Sequence, residues 1–164
     1  MGYHTDFEGR FEFNQSLIVE HRLYLQKFNR TRRMKRNEID TELVDDKIRE
    51  DVGLPVGKEG AYFVGGGGDF GQDHENTVIS YNDPPEGQPG LWCQWTADDG
   101  GDFLEWDGGD KFYDYVEWLE YLIKNFIGPW GYKLNGKVSW KGEGLGDAGI
   151  ITLENNALDV QGVY

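Results

Sequence analysis

Phe7, Phe11 and Phe13 fall on one parity of the opening segment, with Asp6, Glu8, Arg10 and Glu12 between them. That two-residue period predicts a half-buried strand over Tyr3–Phe13. The period then changes: Leu17, His21, Tyr24, Leu25 and Phe28 recur at spacings of three and four, one face of a helix with Ser16 as its N-cap, running to about Asn29. A less regular helix is expected from Asp40, its cap, through Leu43, Val44, Ile48 and Val52, ended by Gly53 and Pro55. Ala61–Val64, Thr77–Tyr81 and Leu91–Thr96 read as short strands, the last buried on both sides by Trp92 and Trp95. The Gly/Pro-rich stretches 65–76 and 82–90 read as loops within a domain, not as linkers.

The clearest helix is Lys111–Ile127, where Phe112, Tyr115, Val116, Leu119, Leu122, Ile123 and Phe126 share one face, Asp110 is the N-cap and Gly128-Pro129 the stop. Beyond it Tyr132, Leu134, Gly136, Val138 and Trp140 alternate without a break. A hairpin at Asn135-Gly136 would pair Leu134 with Lys137 and mix apolar with polar residues on each face, so one long strand is expected, with Gly136 a bulge or a close approach. Ile150–Glu154 and Ala157–Val160 then close a meander around Asn155-Asn156. The order predicts a single α+β domain over 1–164: an antiparallel sheet of five to seven strands with helices on one face.

Charge alters the picture more than composition does. Thirty Asp and Glu against sixteen Lys and Arg leave a net −14, which excludes a generally basic nucleic-acid binder and disfavours an anionic membrane surface. Residues 1–60 are nearly balanced at −1, whereas 61–164 carry −13. Within the first part, the basic helix and connection 16–36 hold Arg22, Lys27, Arg30, Arg32, Arg33, Lys35 and Arg36 against Glu20 alone. The simplest reading of that run is a solvated face balanced by neighbouring acids. Twenty-four aromatic residues supply a core without staples, since the lone Cys93 cannot form an internal disulfide and reads as a small buried hydrophobe. The opening residues have no secretory or membrane-spanning run, and the chain reads as cytoplasmic.

Chemistry is sparse in comparison. Gly66, Gly68 and Gly71 match a phosphate-binding glycine pattern, but QDHENTVISY follows where a helix is needed. Asp69-Phe70-Gly71 stands without any other kinase signature. His21 reads as a core or boundary histidine, and His74, beside Asp73 and Glu75, has no second ligand at a fitting spacing; no metal and no cofactor are expected. The dense signal is acidic: Asp98, Asp99, Asp102, Glu105, Asp107, Asp110, Asp114, Glu117 and Glu120 face only Lys111. The spacing of a calcium loop is missing. Asp114, Glu117 and Glu120 step along the side of the helix away from its apolar stripe, with Tyr113, Trp118 and Tyr121 beside them. Carboxylates for steering and flat rings for anchoring suit a basic protein partner.

Three segments, GQPGLWCQW, EWDGGDKFYDYVEWLEYLI and GPWGYKLNGKVSW, resemble a group of small acidic proteins of bacteriophages, prophages and bacteria. The likeness runs from about Phe7 to Val160, and Asp110 stands where the group leads one to expect Glu. The group brings no activity or catalytic residue; the resemblance implies an accessory phage protein, a class that often inhibits host-defence or nucleic-acid enzymes by binding them. The leading expectation is therefore a non-enzymatic inhibitor of a basic host protein, binding through Asp98, Asp99, Asp102, Asp107, Asp114, Glu117, Trp118, Glu120 and Tyr121. Three others stay open. One is a nucleotide- or sugar-binding module using Arg30, Arg32, Arg33 and Arg36 with Trp92, Trp95 or Trp106. Another is a metal-dependent hydrolase built on the acidic residues, and the last is self-association of the basic segment with the acidic helix of a second copy.

Overall fold

Strand β1, Thr5–Phe13, sets the frame in a computed structural model that describes residues 2–65 and 76–163. The chain gathers into two compact units, 1–17 with 94–164, and 18–93 between them. In the first unit β1 lies between β5 (Phe103–Trp106) and β6 (Leu134–Gly142). With β4 (Trp95–Ala97), β7 (Ala148–Glu154) and β8 (Ala157–Val163) they form a six-stranded antiparallel sheet of order β4-β5-β1-β6-β7-β8. The protein is α+β.

The alternation in β1 does what its period demands: Phe7, Phe11 and Phe13 are buried while Asp6, Glu8, Arg10 and Glu12 face water. Phe7 is the hub of an aromatic cluster, its ring centroid 5.6 Å from Trp95, 5.1 Å from Trp106, 5.8 Å from Phe112 and 5.0 Å from Tyr115. Tilted and edge contacts of this kind add about 0.5–1.5 kcal/mol each beyond the area they bury. β6 is one strand, as the phase of its side chains requires. Gly136 pairs with Phe11 at φ +135° without a register shift, and a Cβ there would sit 3.0 Å from the Arg10 carbonyl oxygen. It is a close approach and not a bulge. Asn155 and Asn156, at φ 47° and 71°, make the two-residue turn into β8.

Helix α4 is shorter than expected. It spans Tyr115–Leu122 and widens into a π turn over Ile123–Ile127. Lys111 at φ +61° breaks the proposed first turn, so Asp110 caps nothing there; Asp114 flanks the helix without a side-chain capping bond. β5 has no counterpart in the sequence reading, because a run of acids hides its two-residue period.

The second unit holds α1 (Val19–Arg30), α2 (Glu38–Glu42), α3 (Lys47–Asp51) and a two-stranded ladder of β2 (Lys35–Arg36) with β3 (Val78–Ser80). Ser16 does not cap α1: its hydroxyl donates to Asp102, and the Leu17 amide donates to Gly101 O at 2.8 Å, both inside the first unit. Tyr24, Leu25 and Phe28 are buried as the spacing predicts. The second predicted helix is broken in two, with Asn37 rather than Asp40 as the cap of α2, its Oδ1 accepting from the Asp40 amide at 3.1 Å. Ala61–Val64 is buried but is not a strand: its amides close short turns, Ala61 N donating to Lys58 O and Phe63 N to Gly60 O at 3.1 Å each.

Candidate functional site

The first unit carries sixteen carboxylates against six Lys and Arg, a net −10. Where it is densest, local backbone chemistry has already claimed part of it. Asp98 Oδ1 accepts from the amides of Asp102 at 2.8 Å and Phe103 at 3.0 Å, closing the β4–β5 hairpin. Asp102 takes the Ser16 hydroxyl, and Asp107 Oδ1 accepts from the Gly109 amide at 2.8 Å. These three aspartates shape turns. Asp114 is partly buried, and that burial, followed by the nearby Glu117, raises its pKa above the ordinary carboxylate value. Asp99, Glu117 and Glu120 are fully at the surface, with Tyr113 55% exposed.

The two large rings expected on this surface sit differently. Trp118 is 1% exposed and is core, edge-on to Tyr121 at 5.5 Å, and Tyr121 is half-buried against Phe126 at 5.9 Å. α4 thus buries a wider arc than the three-four stripe alone marks out. What the surface retains is charge, with Tyr113 as its exposed ring.

The basic run is only in part a solvated face balanced by acids: Arg30 is exposed, Arg22, Lys27 and Lys35 are half-buried and Lys35 pairs with Glu59, but Arg33 and Arg36 are buried. Arg33, 2% exposed, is a strut inside the second unit. Its Nε donates to Gln88 Oε1 at 3.2 Å, and its terminal nitrogens donate to the carbonyls of Phe63 at 2.7 Å, Ala61 at 2.7 Å and Gly60 at 3.3 Å. The guanidinium also stacks on Phe28, 4.2 Å from its centroid. The planar guanidinium thus satisfies the carbonyls of a buried turn segment and ties it to the rest of the unit. Arg36 is buried as well, donating to Thr77 Oγ1 at 2.6 Å and lying 4.4 Å from the Phe63 centroid. Arg32, half-buried, donates to Tyr81 O at 3.0 Å and Asn82 Oδ1 at 3.2 Å. Of the four arginines of the alternative ligand site, Arg30 alone has an exposed side chain.

The tryptophans of that site are also engaged. The Trp95 indole is buried and donates to Tyr115 O at 2.8 Å, Trp106 donates to Gln94 Oε1 at 3.1 Å, and Trp92 is half-buried in the other unit.

One cluster escaped the sequence reading. Gly2, Tyr3, His4, Asp110, Lys111 and Glu143 line a shallow cavity of about 350 Å³. His4 Nε2 lies 2.8 Å from Asp6 and Nδ1 2.6 Å from Asp110. The hydrogen bond to Asp6 is the main cause that raises the His4 pKa, and Asp110 adds to it. Tyr3 donates to Asp147 Oδ2 at 2.5 Å and the Trp140 indole to Oδ1 at 3.0 Å, and these bonds lower the Asp147 pKa. With both ring nitrogens close to carboxylates, the His4 ring is held in place and fastens the start of β1. The signal present in the sequence was His4-x-Asp6, two residues of one parity; Asp110 and Glu143 arrive through the fold.

His21 is half-buried on α1 and Cys93 is buried, as expected. Gly66, Gly68, Asp69, Phe70, Gly71, Asp73, His74 and Glu75 lie outside the described residues. Among the described residues no three His, Cys, Asp or Glu side chains are grouped to hold a metal ion, and no helix is long and apolar enough to cross a membrane. No family model, no curated protein and no solved structure matches the chain.

Proposed function

We propose that this protein is a non-enzymatic binding protein, of the kind phages use as inhibitors, which engages a basic host protein of the nucleic-acid-binding or defence class through its acidic surface. The observation that carries the reading is the opposite fate of the two signs of charge. Among the described residues three cations, Arg33, Arg36 and Arg49, are withdrawn into the interior against one carboxylate, Asp46, which pairs with Arg49 at 2.9 Å, whereas Asp99, Asp107, Glu117 and Glu120 stay exposed. The surface is therefore more acidic than the sequence total suggests. Carboxylates spaced within a Debye length, about 8 Å at physiological salt, reinforce one another and steer a cationic partner into contact. Such a field imitates the phosphate track of a nucleic acid.

The test is capture from host lysate at low ionic strength, a salt gradient, and a charge-reversed control. Glu117→Lys with Glu120→Lys is the appropriate variant, because both side chains are exposed and neither shapes a turn. A basic protein retained by the wild type, eluted by salt and lost by the variant is the expected result. Equal retention by the variant, or elution indifferent to salt, refutes the reading.

A further inference from the structure

Helix α2 is amphipathic in the inverse sense. Its buried residue is Thr41, whose hydroxyl donates to the Asn37 carbonyl. At about 100° per residue, positions two before and two after Thr41 point nearly opposite to it. Those positions are Ile39, 78% exposed, and Leu43, 83% exposed. Ile79 of β3, 61% exposed, lines with Ile39 a shallow cavity of about 240 Å³ whose other walls are Arg36, Asn37, Glu38 and Glu59. Scattered exposed aliphatics are ordinary, but here Ile39 and Ile79 share one cavity and Leu43 lies one turn beyond Ile39 on the same outward side, on a chain of mean hydropathy −0.66.

The rim says what would cover them. Glu38 and Glu42 flank the Ile39–Leu43 ridge on one side and Asp40 on the other, and all three are exposed. α2 has no Lys or Arg of its own. The nearby cations are engaged elsewhere: Arg36 is buried against Phe63, Lys35 pairs with Glu59 at 3.3 Å and Lys58 pairs with Glu86, while Glu38 Oε1 also accepts from the Glu59 amide at 2.8 Å. An apolar centre inside a ring of one charge sign is the layout of an interface in which the centre excludes water and the rim selects the partner.

We infer that Ile39, Leu43 and Ile79 form a docking site for a basic protein segment that lodges an aliphatic side chain in the cavity and sets Lys or Arg side chains on Glu38, Asp40 and Glu42. The inference rests on the basic-partner reading and places an anchor for that partner in the second unit. Two synthetic helical peptides of equal positive charge serve as probes, one carrying leucines on a single face and the other serine in their place. They are titrated into methyl- and amide-labelled full-length protein, wild type and I39S/L43S. The leucine peptide is expected to shift the methyl signals of Ile39, Leu43 and Ile79 and to bind the variant about tenfold more weakly. An unchanged circular-dichroism melt shows that the variant is folded. If both peptides bind equally and those methyls stay still, the site is overturned while the basic-partner reading stands. If neither peptide binds at low salt, both fall. If the wild type alone dimerises in sedimentation and the variant does not, a second copy covers the patch and the proposal is overturned.

Discussion

Replacing Arg33 by methionine removes a guanidinium while keeping much of the volume, and it asks whether this residue is a strut or a spare ligand. The side chain donates to three backbone carbonyls and to Gln88. Ala61 O keeps a donor in the variant, because Gln88 Nε2 also reaches it at 2.6 Å. Gly60 O keeps one as well, the Phe63 amide at 3.1 Å, so among these three carbonyls it is Phe63 O, in a buried residue, that loses its donor. A buried acceptor left unmatched costs about 1–3 kcal/mol. That is a measurable part of the ~5–15 kcal/mol that holds an ordinary domain. Arg33→Lys keeps the charge but offers no planar fork, and should fall between the wild type and methionine. The assay is urea unfolding followed by hydrogen exchange and mass spectrometry, which reads the two units separately. Peptides from 18–65 should lose protection at lower urea, while those from β6 to β8 keep theirs. A midpoint within about 0.5 kcal/mol of wild type, the range of a neutral surface change, would refute the strut and return Arg33 to the pool of residues free to hold a ligand.

Other expectations follow from the same geometry. Trp118→Ala should cost about 3–5 kcal/mol in urea unfolding, whereas Glu117→Lys should leave the midpoint unchanged; a mild Trp118 variant would put that ring back on the surface. Gly9→Ala meets a φ of +99° and the Lys137 carbonyl oxygen 2.5 Å from the new Cβ, so a loss of about 1–3 kcal/mol is expected, and a neutral melt would disprove the close approach of β1 and β6. In an NMR titration His4 should titrate above the ordinary histidine value, chiefly through its bond to Asp6, and His21 below it, chiefly through burial. By linkage His4 stabilises the fold fully below the unfolded-state pKa and ceases to as pH rises through its raised value. His21 works in the opposite sense, its contribution being present above the unfolded-state pKa and lost as pH falls through its lowered one. His4→Gln should remove the first dependence, and a profile indifferent to that change would refute the clasp.

Much of the fold was legible because it follows from short-range periods. β1, the unbroken β6, the Asn155-Asn156 turn and the buried face of α1 each rest on a spacing of two or of three and four, and the backbone has few ways to satisfy such a spacing. Failures arose where a neighbour distant in sequence supplied the hydrogen bonds. Ser16 looked like a cap until Asp102 took its hydroxyl. The stretch 61–64 has the composition of a strand but folds as short turns, with Arg33, distant in sequence, taking the carbonyls of Ala61 and Phe63. Of the candidate site, Glu117 and Glu120 were rightly read as exposed, whereas Trp118 was not, because a wheel shows only the minimum arc a helix buries.

The sequence by itself determined the α+β layout, the long strands and the strongly acidic balance, since these are properties of local pattern and of composition. Only the tertiary structure decided which charges are seen from outside. A formal charge counts an arginine equally wherever it lies, but burying one is tolerated where carbonyls and rings converge on it, and that convergence here joins residues 28, 33, 61, 63 and 88. The same folding turned Thr41 inward and Ile39 and Leu43 outward, against their own hydrophobicities, because the position of a short helix is set by what surrounds it and not by its own residues.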